Sequence, residues 1–248
     1  EREGERLTPA QRKLLENALR HFRLPGVSLP QERKARFTAV MEELASTQAS
    51  FDERVLDATK AWVRQVENHE QLAGLPETVV ARARAAAEAD GRSGWRLPLD
   101  APNYIAVMTH AEDATLRREF HEAWVTRASD RGPLAGRFDN GPLIERILAL
   151  RHEAATLVGF ANYAEYSLAS KMARVPAEVL AFLRRLAALS RPAAQREFAE
   201  LEAFAGRRLE PWDIAFWSER LKHARLDVSE EALRPYFPVD GVMSGMFE

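Results

Sequence analysis

Three His-Glu pairs carry the side chains best suited to chemistry in this chain: His69-Glu70, His121-Glu122 and His152-Glu153. In a helical His-Glu-x-x-His motif, two imidazoles one turn apart hold zinc, and the glutamate beside the first polarises a metal-bound water. Four residues after each histidine stand Ala73, Val125 and Thr156, none of which ligates zinc as an imidazole does. The pairs therefore read as ordinary polar pairs on helix surfaces or half-buried faces, and this chain is assigned no catalytic residue and no metal ligand. Cysteine is absent, which removes thiol nucleophiles, thiolate metal sites and disulfides and fits a reducing compartment. No G-x-S-x-G, G-x-G-x-x-G or phosphate-binding glycine loop occurs. Glu42-Glu43 and Glu230-Glu231 read as helix-surface and first-turn residues.

The elements that would position such groups are mostly helices. Thr8 and Gln11 form a capping box with Pro9 at the first helical position, followed by Leu14, Leu15, Ala18, Leu19 and Phe22, which predict one buried stripe. Leu24-Pro25-Gly26 stops that helix. From Pro30 to about Glu67 a second pattern runs without internal Gly or Pro, which predicts a strut of about 55 Å. Pro76-Glu77 starts a third helix that ends near Asp90-Gly91. Trp95, Leu97 and Leu99 alternate with polar or proline residues and predict the chain's one short strand, restricted to an edge by Pro98. Helices then start at Pro102, before Leu116, at Asn140-Pro142 (closing at Gly159), at Asn162, at Pro176, at Pro211 and at Ser229. The helix from Pro176 to Gly206 is expected to kink or break at Pro192, and the one from Ser229 to be interrupted near Pro235. The fold class is all-α, with at most one short edge strand near Trp95–Leu99.

Composition limits the function classes. The 248 residues can bury a large core, and 46% hydrophobic with 29% charged residues is typical of soluble globular proteins. A net charge of −2 argues against a nucleic-acid partner, and no apolar run reaches the roughly 20 residues of a membrane span. Val242, Met243, Met246 and Phe247 have helical spacing, and the uncapped end at Glu248 predicts a polypeptide that continues.

The stretch from Thr126 to Ala173 adds a specific signal. Thr126-Arg127-Ala128-Ser129-Asp130, Asp139-Asn140, Ile147 to Glu153, Gly159 to Tyr163, and Leu168 to Ala173 follow in order. Together they resemble the bacterial members of the thimet-oligopeptidase and neurolysin family of zinc metallopeptidases, in the region before the catalytic site. Phe51 to Thr59, Leu72 to Pro76, and Pro211-Trp212-Asp213 extend the likeness to essentially the whole chain. Where the family usually has two tyrosines, this chain has Phe216 and Trp217, which keep the bulk and lose the phenolic hydroxyls.

The resemblance implies a zinc-dependent oligopeptidase that hydrolyses peptide bonds in short peptides. Two helical lobes would flank a channel, with Zn²⁺ held by ligands outside this segment. Residues 1–248 would form the helical N-terminal lobe, a channel wall that lacks the zinc-binding motif, is inactive alone, and is completed by the catalytic half of the same polypeptide. The expected location is cytoplasmic, with no nucleic-acid or membrane partner. The alternative is a stand-alone helical scaffold or protein-binding module without enzymatic activity.

Overall fold

The computed structural model describes residues 7–227 and 233–247. Its helices in chain order are α1 (Pro9–Arg23), α2 (Gln31–Ala61), α3 (Glu77–Ala89), α4 (Ala101–His110), α5 (Ala114–Val125), α6 (Gly141–Leu157), α7 (Tyr163–Leu168), α8 (Pro176–Ala205), α9 (Ile214–Leu226) and α10 (Val239–Phe247). Two strands, β1 (Val63–Val66) and β2 (Trp95–Pro98), pair antiparallel in the register Val63 with Pro98 and Val66 with Trp95. Short 3₁₀ turns cover His69–Leu72, Pro211–Asp213 and Arg234–Tyr236. The mostly α-helical class is borne out, but the expectation of at most one strand is not, since Val63–Val66 supplies a second that pairs with Trp95–Pro98.

The caps behave as their residue types require. Thr8 and Gln11 exchange side-chain and backbone bonds in a capping box, and Asn162 accepts from the Glu165 amide. Asp100 accepts from the Asn103 amide and Asp113 from those of Thr115 and Leu116. Three expectations need correction. The long helix stops at Ala61, about 47 Å from its start, because Val63–Val66 leaves it to pair with β2. A short run rich in valine fits either period, and here the partner strand decides it. The apolar stripe of α1 is not buried: Leu14 and Phe22 are 71% and 64% exposed. Periodicity defines which side chains share a face, and another element must supply the cover. Finally, of the kink or break expected at Pro192, the break is absent, and α8 continues through it as one helix. Ser229, Glu230 and Glu231 lie outside the described residues.

The described chain divides into two units. One takes the chain up to Asp57, Ala128–Asp130 and Gly136–Arg191. Its core sets Phe37, Val40 and Leu44 of α2 against Ile147, Leu150 and Ala154 of α6. The Asn140 amide nitrogen donates to the Phe51 carbonyl (3.0 Å), and Arg54 donates to that of Asp139 (2.6 Å), tying the start of α6 to α2. The other unit takes Ala58–Arg127, Arg131–Ala135 and the chain from Pro192. Its core joins Val66 and Leu97 of the sheet to Val79, Val107, Leu116 and Phe120. Trp62 meets Phe120 edge-on at 4.9 Å, and Tyr104 stacks on Trp124 at 4.3 Å.

Candidate functional site

The three His-Glu pairs fall on three separate elements. His69 and Glu70 sit in the first 3₁₀ turn, where Asn68 accepts from the Glu70 amide and the His69 ring lies 5.3 Å from that of Trp95. Because this turn is not α-helical, residues 69 and 73 do not share the face a zinc helix would give them. His121 and Glu122 lie on α5. His121 Nδ1 is buried without a hydrogen-bond partner, with its ring 6.0 Å from Trp212.

His152 and Glu153 lie on α6, where His152 is exposed. Glu153 accepts from Arg36 Nε and Nη2 at 2.5 and 2.8 Å. Seven residues away on each helix, Glu43 accepts from Arg146 Nε and Nη2 at 2.5 and 2.6 Å. These two forked pairs run in opposite orders along α2 and α6, so the helices are antiparallel. The bonds from Arg36 and Arg146 hold the Glu153 and Glu43 carboxyls below their ordinary range. A carboxylate held this way is a poor proton acceptor, which suits a structural clamp better than a general base. Among the described residues, no three His, Asp or Glu side chains form a group able to hold a metal ion. The described residues therefore offer zinc no ligand set.

The charge cluster of greatest structural weight has no signature in local spacing. Arg117 and Asp213 are 2% and 0% exposed. Arg117 Nη2 donates to Asp213 Oδ1 at 2.6 Å, its Nη1 donates to the carbonyls of Ala111 (2.6 Å) and Glu112 (3.1 Å), and its Nε donates to that of Trp212 (3.2 Å). The other Asp213 oxygen takes Arg207 at 2.9 Å and the Glu210 amide at 3.3 Å. Burial pushes the Asp213 carboxyl up, but bonds from Arg117, the Glu210 amide and Arg207 outweigh it, so the group stays below its ordinary range. Asp213 was legible only as part of a matched tripeptide. Its partner lies 96 residues earlier, a distance at which spacing carries no signal.

This clasp fixes the start of α9 and with it Phe216 and Trp217. Phe216 is buried between guanidiniums, with Arg117 and Arg220 at 4.1 and 4.4 Å from its ring centre. Trp217 is half-buried, edge-on to Phe216 (5.5 Å) and Phe204 (6.1 Å), and its Nε1 is buried without an acceptor. Trp212 is half-buried against the core. Beside these rings, α8 and α9 leave a groove of about 720 Å³, floored by Phe198, Leu201, Ile214 and Leu221 and rimmed by Glu197 and Lys222. Arg225 pairs with Glu200 at its edge. Such a groove can receive apolar side chains but holds no nucleophile paired with a base.

Residues 107–248 match Peptidase family M3. Over 98% of its length the chain is 46% identical to Oligopeptidase A of Salmonella typhimurium and to Oligopeptidase A of Escherichia coli. Over 95% of its length it is 31% identical to Dipeptidyl carboxypeptidase of Escherichia coli. The matched stretch is 36% of each oligopeptidase and 35% of the carboxypeptidase, so the chain spans about a third of the length of these curated relatives.

Proposed function

We propose a role that starts from one fact, that this chain belongs to peptidase family M3: it is a helical, non-catalytic lobe of a zinc-dependent oligopeptidase. The observation that carries this reading is the 46% identity to Oligopeptidase A over 98% of the chain. Short peptides are the proposed substrates of the whole enzyme, and zinc with its general base is proposed to be supplied by the rest of the polypeptide. The chain's own part is to wall the substrate channel and limit what enters. Two features support a wall. The forked pairs across α2 and α6 brace that helix pair, and the Arg117–Asp213 clasp holds α9 against α4 and α5. The cytoplasm is the proposed compartment. It agrees with the lack of cysteine and with the lack, among the described residues, of a helix long and apolar enough to cross a membrane.

The test compares the full-length polypeptide with residues 1–248. The longer form is expected to bind one zinc ion, hydrolyse short peptides and lose that activity to a chelator, whereas residues 1–248 do neither. Full-length turnover that survives thorough chelation would remove the metallopeptidase reading. A natural polypeptide without peptidase activity would favour a binding scaffold instead.

A further inference from the structure

Along the first half of α8, Val179, Phe182, Leu183, Leu186 and Leu189 recur at helical spacing and form one face. Every residue from 180 to 191 is exposed, including Phe182 (64%), Leu186 (53%) and Leu189 (69%). The core of this unit is made by α2 and α6 and uses none of these side chains. Arg184, Ala188 and Arg191 occupy the other side of the helix. Helices of this kind draw most of their stability from a packed apolar face, and a contiguous exposed stripe marks an interface.

We propose that this stripe is the seat of the polypeptide that lies outside these 248 residues, as an intramolecular contact between the lobe and the remainder of the enzyme. The inference rests on the reading of the chain as part of a longer oligopeptidase. Since the matched stretch is 36% of the oligopeptidase relatives, nearly two-thirds of such a polypeptide lies outside these residues. A tethered segment reaches the stripe at high effective concentration and needs no partner from solution. A second copy would have to come from solution, so its cover grows with protein concentration, whereas that of a tethered segment does not.

The test uses the full-length polypeptide with one added cysteine, reacted with a maleimide and read peptide by peptide. Ser190→Cys lies on the stripe side of α8 and Ala188→Cys on the opposite side; both residues are exposed in this segment. The Ser190→Cys site is expected to react at least about tenfold more slowly than the Ala188→Cys site, at every protein concentration across about a hundredfold range. Equal rates would overturn the proposal. So would protection that grows with protein concentration, which marks a second copy, or protection that appears only with anionic vesicles, which marks a membrane surface. Hydrogen exchange over residues 180–190 in the unsubstituted full-length chain gives the same reading without a variant: slow exchange supports cover, and exchange as fast as in residues 1–248 opposes it. Peptide hydrolysis by the same preparations separates the two readings. Slow labelling without activity removes the peptidase and keeps the covered stripe, and fast labelling with activity does the reverse.

Discussion

Arg117 ties several elements of its unit together, because one buried guanidinium satisfies three carbonyls and a carboxylate. Removing it leaves Asp213 buried with only the half-exposed Arg207 as its charged partner. Arg117→Met is therefore expected to cost about 3 kcal/mol of stability, measured by urea unfolding. Adding Asp213→Leu is expected to restore part of that loss, since the stranded charge goes with it; a double variant as unstable as the sum of the singles would oppose this account. The exposed clamps obey a different rule. Glu43 and Glu153 have carboxyls lowered by their arginines, so their contribution is present above the ordinary carboxylate value of 4.5 and is lost as pH falls through the lower folded value. The combined substitution Glu43→Gln and Glu153→Gln should therefore flatten the fall in stability below that value. The difference should shrink at about 1 M salt, where the screening length is about 3 Å.

At the scale of elements, the sheet depends on a close approach that only glycine permits. Gly94 has φ +78°, and a Cβ there would lie 2.3 Å from the Val66 carbonyl oxygen. Gly94→Ala should therefore push β1 from β2 and cost about 2 kcal/mol or more, seen as a lower urea midpoint with faster exchange of the Val63–Val66 amides. Unchanged exchange across β1 would count against this reading of the turn. The contrast between the two strands shows what a sequence can and cannot disclose. Trp95–Pro98 was legible from alternation, the starts of α1 and α7 from their caps, and that of α6 from Pro142 in its first turn, although Asn140 makes no capping bond there. Val63–Val66 was not, since its valines also continued the period of α2 and only the distant partner strand decides between the two. The exposed stripe of α1 failed for the same reason, because cover is a property of neighbours. The Arg117–Asp213 clasp was hidden because it joins positions 96 apart, and the break allowed for at Pro192 is absent because proline's local cost can be absorbed within a 30-residue helix.

At the scale of the whole molecule, family membership and chemistry have to be kept apart. The same α6 that carries part of the family likeness also carries His152-Glu153, the pair that most closely resembles half a zinc site. Its geometry assigns it elsewhere: Glu153 is forked to Arg36, Thr156 stands where a second imidazole would be needed, and the Thr156 hydroxyl donates to the His152 carbonyl at 2.9 Å. His152 itself is exposed. In the full-length polypeptide, His152→Ala should leave zinc content unchanged and alter kcat/KM by no more than about twofold, as surface substitutions away from special features generally do. Glu153→Gln should likewise spare zinc and turnover while lowering the midpoint of unfolding. Loss of the metal in either variant would mean that this lobe contributes a ligand after all, and the division between a walling segment and a catalytic remainder would have to be redrawn.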